Sequence, residues 1–260
     1  AMERLGKDGS LLPIADAHFY YGLHLSPEGW VFREWAPNAT SIHLIGDHSG
    51  WHELPEFACR RLNPAGDWEL KLPAEALQHN AHYRLKIRWN GGEGDRIPAY
   101  ARRVVQDPCS LIFSAQVWNP EGYVWKNASP DAAARPPVIY EAHVGMGQER
   151  AGVGTYVEFR ELVLPRIVEA GYNTLQLMAI QEHPYYGSFG YHVSNFFAPS
   201  SRFGTPEEFK ELVDAAHGAG LTVIMDLVHS HAVKNENEGI SRFDGTLWQY
   251  FHDGPRGSHE

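Results

Sequence analysis

TPEEFKELVDAAHGAGLTVIMDLVHSH, residues 205–231, reads as a helix followed by a buried strand. Thr205 is a natural N-cap, Pro206 suits the first turn, and Glu208 is the third-position acid of a capping box. Phe209, Leu212, Val213 and Ala216 fall on one helical face, and Gly220 can end the helix. The segment 221–231 is apolar around Asp226 and then runs into polar residues. Working outward, PPVIYEAHVG supplies a strand at 138–143 and NTLQLMAI another at 173–180. Between them, TYVEFRELVLPRIVEAG (155–171) places Phe159, Leu162, Ile167 and Val168 near helical spacing, with Pro165 as an interior kink or break. Strand, helix, strand, loop, helix, strand predicts parallel pairing with right-handed crossovers. Residues 138–260 are therefore expected to form the first part of a (β/α)8 barrel.

A closed barrel of this kind takes about 250 residues, roughly twice what 138–260 supplies. Three parallel strands alone leave an unpaired edge and an exposed apolar face. The expectation is that the rest of the barrel lies in the same or another chain. The segment after residue 137 is then expected to be sticky or poorly folded by itself.

The first half has a different rhythm. GDWELKLP (66–73) alternates Trp68, Leu70 and Leu72 against Glu69 and Lys71. HYRLKIRW (82–89) alternates Tyr83, Leu85, Ile87 and Trp89 against Arg84, Lys86 and Arg88. Period two means strands with one buried face, and GGEGD at 91–95 is turn chemistry. Short strands between such turns predict an all-β, immunoglobulin-like sandwich over 14–115 that folds independently. The Pro-rich stretch 116–137 reads as an interdomain segment pinned by Val117, Trp118, Tyr123 and Trp125. The protein is thus multidomain, with the sandwich first and the incomplete barrel second.

Composition narrows the function. Apolar residues at 43% and charged residues at 21% fit a packed core rather than a disordered chain. A net charge of -10 argues against nucleic acid, whose backbone favours a cationic surface. No run of 18 apolar residues appears, so no membrane span is expected. With only Cys59 and Cys109, a reducing, cytoplasmic setting is the default. The 8 Trp and 12 Tyr offer flat rings that match sugar faces, although core packing uses them equally well.

Barrel enzymes keep their chemistry at the C-terminal ends of strands. Asp226 sits at such an end, and an acid among Ile224, Met225, Leu227 and Val228 is costly to bury unpaired. It is either a functional acid or a structural carboxylate paired with a donor. His229 and His231 follow, but the spacing D-x-x-H-x-H matches no strong metal motif, so no metal or cofactor is expected. His143 and His183 follow the first two strands and read as pocket or wall residues. The loop 180–204 carries Tyr185, Tyr186, Phe189, Tyr191, Phe196, Phe197 and Phe203, a dense set of rings for a loop. Phe196, Phe197 and Phe203 are expected to pin the loop, and Tyr191 to face a ligand.

The strip YYGSFGYHVSNFFAPSSRFGTPEEFKELVDAAHGAGLTVIMDLVHSHAVKN, together with YFHDGPRGSHE at 250–260, resembles the 1,4-α-glucan branching enzymes of the α-amylase superfamily (glycoside hydrolase family 13). WAPNA and the DWE turn resemble the glucan-associated sandwich of carbohydrate-binding module family 48 type that precedes such barrels. The resemblance implies retaining transfer of an α-1,4-glucan chain to a 6-hydroxyl, making α-1,6 branches in glycogen or on maltooligosaccharides. It makes Asp226 a supporting acid and not the nucleophile, His231 a hydrogen-bonding partner of the sugar, and Tyr191 the ring beneath that sugar. His192 stands where many relatives have Gln, and Gln181 where the family often has Met. Tyr186 and His183 complete the expected substrate-binding set. The nucleophile, the general acid and a stabilising Asp would all fall beyond residue 260, so this stretch alone is expected to be inactive. A second reading is a non-catalytic α-glucan-binding module using Trp51, Trp68 and Trp89. A third, a debranching or trehalose-forming relative, fits the SFGYHVSNFFAPSSRFGTPEE strip less well.

Overall fold

Alternation builds the first half as strands. The computed structural model describes residues 15–252 and 254; residue 14 and the end of the 250–260 strip lie outside them. Nine strands open the described chain: β1 (Gly22–Ser26), β2 (Gly29–Trp35), β3 (Ala39–Gly46), β4 (Arg60–Arg61), β5 (Asp67–Leu72), β6 (His82–Trp89), β7 (Gly92–Arg96), β8 (Val104–Gln106) and β9 (Phe113–Gln116). One antiparallel sheet runs β1-β2-β5-β4. In a second, β6 pairs with β3 along one edge and with β7 and β9 along the other. Phe32, Leu44, Leu85 and Ile87 are fully buried, each stabilising the fold by about 1.5–3 kcal/mol. Glu69, expected outside, is 8% exposed because Arg33 caps its carboxylate at 2.9 Å. Gly29 turns β1 into β2 at φ 117°, and a Cβ there would meet the Leu72 carbonyl oxygen at 2.3 Å, so only glycine fits.

The described residues fall into two compact units that do not follow chain order. One holds the residues up to Arg102, Ser114–Asn119 and those from Asn235 onward; the other holds Arg103–Phe113 and Pro120–Lys234. The sequence reading groups 235–260 with the barrel, whereas the described part of that strip packs with the sandwich strands. The fully buried Asp244 explains this. Its carboxylate accepts from the Asn38 backbone at 2.9 Å and from Thr246 Oγ1 at 2.6 Å. The buried Arg96 donates to the carbonyls of Arg242 and Phe243. A buried charge needs such partners, and Arg96 and Asp244 find them far away in sequence.

The second unit contains β10 (Ile139–Ala142), β11 (Thr174–Leu177), β12 (Gln181–Glu182), β13 (Asn195–Pro199) and β14 (Thr222–Met225). β10, β11 and β14 pair in parallel in that order, and β12 and β13 form a short antiparallel ribbon. Regular pairing of the last strand stops at Met225, short of the 221–231 expected. The helix Pro206–Gly218 starts on the expected box: Thr205 Oγ1 accepts the Glu208 N–H at 3.2 Å, and the Glu208 carboxylate accepts the Thr205 N–H at 2.7 Å. A second box, Thr155 with Glu158, opens the helical stretch 156–169.

That stretch corrects the expected face. Leu162 is 55% and Val168 38% exposed, while Phe159, Val163, Leu164 and Ile167 are buried. Phe159–Val163 form one wider turn just before Pro165. Proline cannot donate to the preceding turn and crowds its carbonyl; the wider turn makes room and rotates the later side chains. The buried face meets Leu175, Leu177, Leu212 and Ala216 in one core. On the opposite face of the sheet Ile139 and Ile224 remain 43% and 39% exposed, and Met225 at the end of β14 is 44% exposed.

The segment 120–137 has an anchor the sequence hides. Asp214, 3% exposed on the helix Pro206–Gly218, accepts from the Tyr123 hydroxyl (2.9 Å) and the N–H groups of Lys126 (3.0 Å) and Asn127 (2.9 Å). These donors hold its carboxyl down at about 2, the Lys126 N–H contributing most. Trp125, expected to need burial, is 51% exposed.

Candidate active site

The parallel ladder delivers Asp226 to the end of β14. Its N–H donates to the Leu177 carbonyl at 2.9 Å, one rung past the last paired residue. Both carboxylate oxygens are engaged: Gln176 Nε2 donates to Oδ1 at 2.9 Å, and the Tyr191 hydroxyl donates to Oδ2 at 2.9 Å. Gln176 also lies 3.5 Å from Glu141 Oε1. Glu141 and Gln176 are register partners on β10 and β11, so three adjacent strands present a chain of polar groups at one end. A carboxylate with both oxygens engaged by donors is held in one orientation, suited to orienting its neighbours.

Tyr191 follows Gly190, whose φ is 89° and whose Cβ position would lie 2.0 Å from the Ala179 carbonyl oxygen. Glycine therefore lets the loop close onto the sheet and aim the next side chain at Asp226. Burial, and secondarily the bond to Asp226, push the Tyr191 phenol above its ordinary range, so it stays a donor. His231 Nε2 donates to the Tyr191 carbonyl at 2.8 Å, and the Ser230 hydroxyl donates to Nδ1 at 2.8 Å. The exposed His192 has its ring 6.5 Å from that of His231. The structure thus brings Asp226, Tyr191, His192 and His231 together.

His183 departs from its expected role. It is fully buried, its Nδ1 donates to the Gln181 carbonyl at 3.0 Å, and burial lowers its pKa. A sugar could not reach it without loop movement. Tyr186 is half-buried and donates to the Gly145 carbonyl at 3.2 Å. It packs edge-on against His143, as do Phe189 and Phe203. Phe203 pins the loop at 1% exposure, whereas Phe197 is 45% exposed on β13.

The missed residues are Gln176, Glu141 and Gln181. Gln176 carried a signal: it is a long polar side chain between Leu175 and Leu177 in the strand TLQL, where an apolar residue would be expected. Among the described residues no cluster of three or more His, Cys, Asp or Glu could hold a metal ion, and no helix is long and apolar enough to cross a membrane. Cys59 and Cys109 are both free.

On the sandwich, Trp68 is a correction. It is 4% exposed and its indole donates to the Ala36 carbonyl at 3.0 Å, so it belongs to the core and not to a glucan surface. Trp89 is half-buried under the Arg96 guanidinium, 5.4 Å from the ring centroid. Trp51 is 44% exposed at φ 66°.

Residues 20–110 match the family model for carbohydrate-binding module 48 (isoamylase N-terminal domain), and residues 164–257 match that for the α-amylase catalytic domain. Over these stretches the chain resembles the α-amylase family. The α-amylase match contains Gln176, Gln181, Tyr191, Asp226 and His231. The chain is 46% identical to the 1,4-alpha-glucan-branching enzyme of Yarrowia lipolytica, over 99% of this chain and 38% of that protein. It is 46% identical to 1,4-alpha-glucan-branching enzyme 2-2 of Arabidopsis thaliana, over 97% of this chain and 32% of that protein. The chain therefore spans well under half the length of these relatives. Among solved structures, it resembles the pullulanase SAP of Group B Streptococcus (TM-score 0.76, 19% identity, 92% of this chain and 36% of that one). It also resembles a putative α-amylase of Salmonella typhimurium (TM-score 0.72, 22% identity, 91% of this chain and 38% of that one). These likenesses support the fold: a sandwich followed by the opening of an α-amylase barrel.

Proposed function

We propose that this chain supplies the glucan-associated sandwich and the first barrel strands of a cytoplasmic 1,4-α-glucan branching enzyme. The observation that carries the reading is Asp226: a carboxylate at a strand end, held by Gln176 and Tyr191, with His231 locked to the same tyrosine. Identity of 44–46% to branching enzymes from fungi, a plant and a slime mould supports it.

In this reading the reaction is a retaining double displacement on an α-1,4-glucan. One carboxylate attacks the anomeric carbon while a second carboxylic acid protonates the leaving oxygen, the two lying about 5–5.5 Å apart. A sugar 6-hydroxyl then displaces the enzyme from the covalent intermediate and forms the α-1,6 link. Both reacting carboxyls, and an Asp that stabilises the transition state, come from polypeptide outside residues 1–260. That polypeptide also covers the apolar face of β10 and β14. Asp226 orients the floor of the site, Tyr191 stacks under the sugar at the cleaved bond, and His231 hydrogen-bonds it. The test is incubation of the intact protein with amylose and counting of α-1,6 links. Links made by the wild type and lost in Asp226→Ala with glucan binding retained are expected; near-normal turnover in the variant refutes the role.

Trp51 favours a second reading, a non-catalytic α-glucan-binding module, because its ring is 44% exposed on the sandwich. Binding of maltooligosaccharides by an intact protein that makes no links would favour it.

A further inference from the structure

The backbone ladder between β11 and β14 advances two residues at a time. Thr222 N–H donates to the Asn173 carbonyl and Asp226 N–H to the Leu177 carbonyl. The next rung of a parallel ladder would join Val228 N–H to the Ala179 carbonyl. It does not form. Gln181 Oε1 accepts the Val228 N–H instead, at 3.0 Å. The same amide, through Nε2, donates to the Phe196 carbonyl at 3.1 Å. Gln181 is 5% exposed and Val228 7% exposed, so water is a poor substitute for either partner.

One side chain therefore replaces a backbone rung where β14 ends, and it ties two segments together. The strip 226–231 carries Asp226 and His231. The loop 183–194 carries Tyr191, whose hydroxyl and carbonyl oxygen meet those two residues, and leads into β13 with Phe196. Ala179, Val193 and Val228 pack as a small core beneath, with Tyr191 and Phe196 against it. An amide suits the task because it offers one acceptor and one donor in fixed geometry. A methionine of similar length offers neither strongly.

We propose that Gln181 is the positioning residue of the site, its side-chain amide setting the Asp226–His231 strip against the Tyr191 loop. This rests on the branching reaction proposed above.

The experiment compares wild type, Gln181→Met and Gln181→Glu in the intact protein, with folding checked by circular dichroism. Branch formation on amylose gives kcat and KM, and amide hydrogen exchange reads Val228 directly. In Q181M the Val228 amide should exchange faster and kcat should fall about tenfold with KM within about twofold, since a misplacement of ~1 Å can cost up to ~100-fold. Q181E keeps the acceptor but turns the donor into a second acceptor facing a carbonyl. Its kcat relative to wild type should therefore recover as pH falls from about 8 to about 5.5, where a buried carboxyl takes up a proton and donates again. Unchanged Val228 exchange, unchanged kcat in Q181M, or a Q181E deficit that ignores pH overturns the inference. If Q181M fails to fold, the Q181E pH profile decides. An active wild type with unaffected variants sinks Gln181 alone. An inactive wild type sinks the reaction itself, and the inference falls with it.

Discussion

The Tyr191 hydroxyl donates to Oδ2 of Asp226 at 2.9 Å while the Tyr191 carbonyl accepts from His231 at 2.8 Å. One residue thereby holds both Asp226 and His231. Tyr191→Phe separates its two tasks, because the ring stays and the donor goes. In the proposed branching reaction, turnover should fall about tenfold, the value of one charge-assisted hydrogen bond. Tyr191→Ala, which also removes the ring proposed to stack under the sugar, should lower turnover about 10- to 100-fold. Equal, near-normal rates for both variants would remove Tyr191 from the site.

Gln176 holds the other oxygen of Asp226. Gln176→Leu should lower turnover about fivefold to tenfold, since Asp226 is only half-buried and water partly replaces the lost donor. Gln176→Glu sets a like charge beside Asp226 and Glu141. It should cost more at neutral pH and recover in acid as one carboxyl becomes neutral. Steady-state rates against pH distinguish the two.

Glu34 on the sandwich is fully buried, and its oxygens accept the N–H groups of Trp35 and Ala99. Burial outweighs those bonds and pushes its pKa from 4.5 up to about 7. The folded state thus holds a proton that the unfolded state has lost. Its stabilising contribution is full below about pH 4.5 and is lost as pH rises through about 7. Urea midpoints should decline across that window, with a loss of about 3 kcal/mol at most. In Glu34→Gln the slope should flatten; an unchanged slope assigns it elsewhere.

Asp214 works in the opposite sense, its carboxyl held down at about 2 by donors from 123–127. The stability it adds is present above about pH 4 and is lost as pH falls toward 2. Asp214→Asn should speed hydrogen exchange at Lys126 and Asn127 while leaving the amides of β11 protected. Unaltered exchange at both residues contradicts the anchor.

Local signals carried the parts of this fold that local physics decides. Thr205 and Glu208 announced the helix start, and apolar runs announced parallel strands leading to Asp226. Other features depend on partners distant in sequence. Period two set Trp68 with Leu70 and Leu72, yet only the packed sheets show that its indole finds the Ala36 carbonyl indoors. The residues after Asn235 follow Asp244 and Arg96 into the sandwich unit through bonds spanning more than a hundred residues. Leu162 and Val168 turned outward because a wider turn, not a simple kink, accommodates Pro165. Gln181 was visible as a residue, but a missing ladder rung cannot be read before the strands are paired.

In the proposed reaction this chain holds the support for bond cleavage, and the cleaving carboxyls come from outside residues 1–260. Proton NMR of amylose incubated with the 260-residue chain alone, reading the anomeric signal of α-1,6 links, tests that division most directly. No signal above the no-enzyme control is the result expected; a growing α-1,6 signal would contradict it.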